Sequence, residues 1–282
     1  WNDMRFKEII QKCDAIVLPA YVAGEEDIDR INHLQSINKD FNKLFKKTII
    51  CVNYKSLEIR EEYKDKIEEL FNNHFNSVDY IHNKTNFTNV RSLCEQEESL
   101  IQLCKSRNYK FICKTMDHVV ILEEAYDLEL NNDSDFYYTN GIGAQRCLEW
   151  ENDIELIANQ TFFPQTNFYF LDVSKIDYIY NLEDVKQKHL DYEENDKKIK
   201  LIDPEYKFHP KLNGYFVCCE DETGKMATRN KLKMSDMIPK DKFKLLIQRV
   251  IYNSIVDPSF KNLSTCGILH YQYVNQPINK LI

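Results

Sequence analysis

Apolar residues along the first 122 positions alternate between two spacings. Short continuous runs stand at Ala15–Ala20 (AIVLPA), Thr48–Val52 (TIICV), Val78–Ile81, Phe111–Cys113 and Val119–Leu122. Runs of this length, rich in β-branched residues and bounded by polar or turn residues, read as buried strands. Between them the apolar positions recur every three or four residues. From Glu25 to Lys46 they are Ile28, Ile31, Leu34, Ile37, Phe41 and Leu44; from Ser56 to Phe75 they are Ile59, Tyr63, Ile67, Leu70 and Phe71. A third stripe, Leu93, Leu100, Ile101 and Cys104, opens at Ser92, which with Glu95 fits the S-x-x-E capping box. One polar residue, Glu97, interrupts that stripe and is expected at a cleft rim. The pattern predicts strand–helix–strand–helix–strand–helix–strand from Cys13 to Leu122: parallel strands joined by right-handed crossovers, with helices on both faces.

The organising stretch is Tyr109 to Leu122, YKFICKTMDHVVIL, in which a polar centre, Lys114–His118, separates two apolar runs. Asp117 and His118 therefore stand where a strand gives way to a loop. Ligands of open α/β sheets collect at the carboxyl ends of the strands. A carboxylate and an imidazole there suit a divalent cation and the diphosphate it would hold.

The rhythm changes after Leu122. Asp135–Tyr138 and the aromatic Phe162–Val173 (FFPQTNFYFLDV) read as strands, with Pro164 making the start of the second a loop or an edge. Asn181–Lys200 is densely charged and is expected to be a solvated helix or a connection, marking a boundary between residues 1–175 and a second part, 176–282, packed on the same core. Gly214–Cys219 reads as a strand, Lys242–Ile255 as an amphipathic helix, and Gly267–Val274 as a strand or extended arm carrying His270. The fold class expected is thus α/β, a mostly parallel central sheet flanked by helices, with a mixed α+β C-terminal part.

Composition narrows the chemistry. The net charge of −8 argues against a nonspecific nucleic-acid binder. No apolar run approaches the ~20 residues that cross a bilayer. Nine cysteines, several inside apolar runs and none in a C-x-x-C pair, read as reduced buried thiols, the expectation for a cytoplasmic protein. The adjacent Cys218 and Cys219 read as strand residues facing opposite sides. The glycine-rich phosphate loops G-x-x-x-x-G-K-[ST] and G-x-G-x-x-G do not occur in the sequence, nor does the nucleophile elbow G-x-S-x-G. A nucleotide site would rest on strand ends, polar loops and a cation.

The strands AIVLPAY, TIICVNYKS and VDYIHNKTNFTNVRSL, followed by KTMDHVVIL and the late GILHYQYVN, resemble GT-A-type glycosyltransferases. That resemblance implies a Rossmann-like half that binds a nucleotide-sugar, a D-x-D motif after the fourth strand holding Mn²⁺ or Mg²⁺ against the diphosphate, and a late His completing the metal shell. Here Asp117 begins the motif, Val119 stands where its second carboxylate would be, and His118 and His270 are the further candidate metal ligands. The resemblance places Pro19, Ala20, Tyr21, Asn53, Ser56, Asn83, Asn86, Asn89 and Arg91 around the nucleotide, Tyr21 against the base and Arg91 against phosphate, with Lys114 beside them. Gln165, Thr166 and Asn167, amides and a hydroxyl between aromatic runs, suit sugar hydroxyls; Gln165 and Asn167 join Asp117 as candidate catalytic residues. A general base for the acceptor hydroxyl would be a carboxylate such as Glu149, Asp153 or Asp172. The implied partners are a nucleotide-sugar donor and a glycan or other hydroxyl acceptor. Two alternatives stand beside a transferase: a sugar nucleotidyltransferase, disfavoured because PAYVAGEED carries no Lys or Arg, and a family member without catalysis that serves in binding or assembly.

Overall fold

The computed structural model describes residues 3–83, 89–121, 123–131, 133–140, 164–187, 190, 191, 194, 198, 219–237 and 268–270. Its centre is a seven-stranded mixed sheet built from β2 (Ala15–Val22), β3 (Thr48–Tyr54), β4 (Val78–His82), β5 (Phe111–Lys114), β8 (Phe136–Asn140), β9 (Pro164–Asp172) and β10 (Met234–Asp236), in the order β10-β8-β9-β5-β2-β3-β4. Strands β4, β3, β2 and β5 are mutually parallel. β9 runs antiparallel to both its neighbours, β5 and β8. Two small antiparallel ladders lie outside this sheet: β1 (Asp3–Arg5) with β7 (Glu129–Asn131), and β6 (Val119–Ile121) with β11 (Ile268–His270).

Strand residues alternate between two apolar cores. Ile16, Leu18, Ile50, Val52, Phe168 and Phe170 point to one face, where α1 (Phe6–Lys12), α2 (Glu25–Ile37), α3 (Lys39–Asn42) and α4 (Leu57–His74) pack. Val17, Ile49, Cys51, Tyr169 and Leu171 point to the other, covered by α5 (Asn89–Ser106) and α6 (Cys219–Arg229). A sheet covered on both faces needs apolar residues at successive positions, which is why these strands read as unbroken runs. In the C-terminal part, Ile176, Tyr180, Val185, Met226 and Leu232 bury into the second of these cores and Met237 into the first.

The alternating order predicted for Cys13–Leu122 is present as β2-α2-β3-α4-β4-α5-β5. Five local expectations are corrected. The first strand is not confined to the Ala15–Ala20 run but continues to Val22, so Pro19 and Ala20 are buried strand residues. β2 pairs with β5 only through Ala15, Ile16 and Val17; the missing N–H of Pro19 falls on that edge, beyond the last rung, where no ladder bond is lost. The Glu25–Lys46 stripe is not one helix. It breaks at Asn38, whose side chain donates to Val119 O (2.6 Å) and accepts from Ile121 N (2.9 Å), giving β6 hydrogen bonds in place of continued helix. Ser92 is not an N-cap, because α5 already begins at Asn89; its hydroxyl accepts from Asn53 Nδ2. Glu97 is not at a rim: its side chain is 1% exposed and paired with Lys114. Cys219 starts helix α6 and is not in a strand, so the alternating Cys218–Cys219 reading fails. Ser56, placed by the resemblance beside the nucleotide, is the N-cap of α4, accepting from Ile59 N at 3.3 Å. The predicted helix Lys242–Ile255 and residues Asn86, Glu149, Asp153 and Cys218 lie outside the described residues.

Candidate functional site

The strand order creates a crevice at one end of the parallel half. The chain builds outward from β2 to β3 to β4, then α5 carries it back to the other side of β2, where β5 begins. The boundary between β2 and β5 is the topological switch point of the parallel half, and the gap at its carboxyl end is where open α/β sheets bind ligands. Beyond Val17 the two strands part, and the N–H of Tyr21 faces that gap. Asp117 fills the gap: its Oδ2 accepts from Tyr21 N at 3.3 Å.

Three further groups fix Asp117. His118 Nδ1 lies 2.6 Å from Oδ1, Arg30 Nη2 lies 3.7 Å from Oδ2, and Gln35 Nε2 donates to the backbone carbonyl at 3.0 Å. Gln35 is itself held by Asn42 Nδ2 at 3.0 Å. Asp117 is 3% exposed. Burial pushes its carboxyl up, but the His118 hydrogen bond and charge, the Arg30 guanidinium and the Tyr21 N–H together outweigh burial and hold it below the usual carboxylate range. The group is therefore an ionised carboxylate in a low-dielectric setting. Arg30 is also bound to Asp27 Oδ1 at 3.0 Å, and Asp27 Oδ2 accepts from Ala23 N at 2.7 Å, which ties the start of α2 to the loop after β2.

A second polar group occupies the ends of β3 and β4. Asn83 Nδ2 donates to Asn53 Oδ1 at 2.6 Å, and Asn53 in turn donates to Ser92. Gln96 Nε2 reaches the carbonyls of Ala20 and Cys51, both at 2.9 Å, so one amide of α5 bridges β2 and β3. Asn53, Ser92 and Gln96 are buried. Tyr21, 36% exposed, lies beside Asp117 at the end of β2.

Beneath the crevice lies a buried ionic group. Lys114 Nζ is 2.8 Å from Glu97 Oε1, and both side chains are 1% exposed. Lys114 also donates to Thr166 O and stands over the Tyr169 ring, 5.4 Å from its centroid. Tyr180 donates to Glu97 Oε2, and its hydroxyl lies 3.2 Å from Thr223 Oγ1. Burial, with the Glu97 charge added, pushes the Tyr180 phenol well above its usual range. This group joins β5, α5, β9 and α6.

The structure thus brings Tyr21, Asn53, Asn83, Lys114, Asp117 and His118 to one end of the sheet. Gln165 and Asn167 belong to the stretch of β9 that runs past its Tyr169↔Lys114 rung, hence to the same end; Asn167 is partly buried, and the Gln165 side chain lies outside the described residues. Arg91 is in the first turn of α5, but its side chain is likewise not described. His270 is opposite Val119 in the β11–β6 ladder, so the chain returns there to within one residue of His118. Asp172 is at the other end: it pairs with Phe111 at the start of β5 and binds Ser174 N at 3.1 Å. Sequence reasoning missed Arg30, Gln35 and Gln96. Their only signal was position: polar residues on the helices that leave β2 and return to β5.

A divalent cation needs an ionised oxygen donor with lone pairs to spare. Asp117 meets this: a carboxylate offers about four lone-pair sites, and Tyr21 and His118 occupy two. No group of three His, Cys, Asp or Glu that could hold a metal ion gathers among the described residues. No protein-family model matches this chain, and a search of curated proteins found no similar sequence.

Proposed function

We propose that this protein is a nucleotide-sugar-dependent glycosyltransferase of the GT-A type, transferring a sugar to an acceptor hydroxyl with Mn²⁺ or Mg²⁺ at Asp117. The observation that carries the reading is an ionised, buried carboxylate at the switch point of a parallel sheet ordered β4-β3-β2-β5, the order of a mononucleotide-binding half. Tyr21 offers an aromatic face to a base at the crevice mouth. Asn83, held by buried Asn53 and through it by Ser92 of α5, stands at the end of β4 on the nucleotide side. Asp117 holds the cation, with His118 orienting its carboxylate and His270 close in the ladder beyond. The cation, when bound, supplies Lewis-acid stabilisation of the leaving diphosphate. The amino end of β9, with Gln165 and Asn167, faces the sugar and its acceptor. Cytoplasmic residence accords with the thiols of Cys51 and Cys104, which burial pushes up to about 12 and so keeps protonated and unreactive.

A second reading, a GT-A-like domain used for binding or assembly, is favoured by one observation: both oxygens of Asp117 already have partners within the chain, Tyr21 and Arg30 on one and His118 on the other. Thermal unfolding with UDP-, GDP-, CMP- and TDP-linked sugars, each with Mn²⁺ or EDTA, separates the two. A donor at a hundred times its dissociation constant should stabilise the fold by about 2.7 kcal/mol. The transferase reading expects one nucleotide class to shift the melting temperature only with metal. No shift from any donor overturns it in favour of the binding role.

A further inference from the structure

The Asp117 carboxylate has three partners, and they differ in kind. Tyr21 N–H is fixed backbone, and His118 is its neighbour in sequence, 2.6 Å away and largely buried. Arg30 is the exception. It reaches Asp117 from helix α2, at 3.7 Å, with a side chain 30% exposed against 4% for that of Asp117. Its shorter bond, 3.0 Å, is to Asp27. Arg30 therefore has a second carboxylate to retire to, and it can leave Asp117 without leaving its own helix turn. Asp27 is in turn anchored by Ala23 N–H, so this fallback partner stays in place when Arg30 moves.

The charges give this arrangement a direction. With Arg30 in place, the carboxylates of Asp27 and Asp117 share one guanidinium. A cation beside Asp117 Oδ2 would be repelled by Arg30 and attracted by both carboxylates. We propose that Arg30 is a resident counter-ion of Asp117 that competes with a divalent cation for the carboxylate, so that cation binding requires Arg30 to withdraw onto Asp27. Arg30 thereby sets the cation concentration at which the site loads and keeps the carboxylate neutralised when no cation is present. This rests on the reading of Asp117 as the cation-binding carboxylate, and it adds a residue that does not bind the cation but determines how readily it enters.

The test is a titration of the full chain with Mn²⁺, following the free-ion signal by electron paramagnetic resonance, with no donor or acceptor added. Arg30→Met should tighten Mn²⁺ binding by about tenfold or more, since a unit charge a few ångströms from the ion is removed. Arg30→Lys, which keeps a charge on the same helix position, should stay near the parent affinity. Asp117→Asn should bind Mn²⁺ weakest of all. Because Arg30→Met also frees Asp27, the double variant Asp27→Asn/Arg30→Met is needed: the tightening should persist in it. Equal affinity of the parent and Arg30→Met, or tightening that vanishes in the double variant, overturns the counter-ion role while leaving the cation site standing. Binding unaffected by Asp117→Asn, or undetectable in every form, overturns both the role and the cation site.

Discussion

At the scale of single residues, a few polar side chains decide what the sheet end can do. Asp117 is the clearest. Burial would raise its pKa, but a hydrogen bond and charge from His118, Arg30 and a backbone N–H lower it below the usual value. A carboxyl whose folded pKa is depressed contributes stability that is fully present above its unfolded value, about 3.9, and is lost as pH falls through the lower folded value. Asp117→Asn should therefore cost about 1.5–3 kcal/mol near pH 7, the range for hydrogen bonds to charged groups. The difference from the parent should shrink below about pH 4. Urea unfolding of both proteins from pH 7 to pH 3 measures this, and a difference independent of pH would mean the carboxylate is not held ionised by these partners. The position of Asp117 was legible in the chain because a strand run stops just before it. Arg30 and Gln35 were not legible, because a polar residue on an amphipathic helix looks alike whether it faces water or a strand end. Gln35 is fully buried and Arg30 partly so, and only the tertiary packing of α2 over the crevice distinguishes them from solvent-facing neighbours such as Glu26 and Asp29.

At the scale of elements, the buried Lys114–Glu97 pair is the joint between strand and helix. Breaking a buried ion pair from one side strands a charge in low dielectric and costs about 3–5 kcal/mol, whereas replacing both partners by apolar groups of similar volume is often neutral. Lys114→Met alone should be strongly destabilised and Glu97→Leu likewise, while Lys114→Met/Glu97→Leu should recover most of the loss. A double-mutant cycle in urea is the measurement; additive losses would mean that the two charges do not interact across the 2.8 Å contact. The same element scale explains what the pattern of apolar residues conveyed and what it hid. Strands β2, β3 and β5 and helices α2, α4 and α5 were visible because each buries a continuous run or a stripe, and β4, half-buried throughout, because its apolar residues pack against both cores. Helix α6 was hidden: in CEDETGKMATR it buries Cys219, Met226 and Ala227 together with polar Glu222 and Thr223, so its inner face is not an apolar stripe. The break at Asn38 was hidden for the related reason that its hydrogen bonds go to β6, far along the chain.

At the scale of the molecule, stretches far apart in the described chain, from β2 to β10, share one sheet. β10 extends the edge beside β8, and α6 packs on the face that α5 also covers. One cooperative transition is therefore expected. Far-ultraviolet circular dichroism, which reads the whole backbone, and near-ultraviolet dichroism, which reads buried tyrosines such as Tyr137 and Tyr169, should give superimposable urea curves. Separate midpoints would show that the 219–237 segment folds as a unit of its own. The small β6–β11 ladder has a kinetic meaning. Ile268 pairs with Ile121 across roughly 150 intervening residues, so closing it costs a large loop and it belongs among the latest contacts to form. During synthesis, β6 must wait beside Asp117 and His118 for a partner made long after it. The wall next to the crevice is thus finished only after residue 270 has left the ribosome, and any ligand drawn to that wall before then meets an open edge of β6.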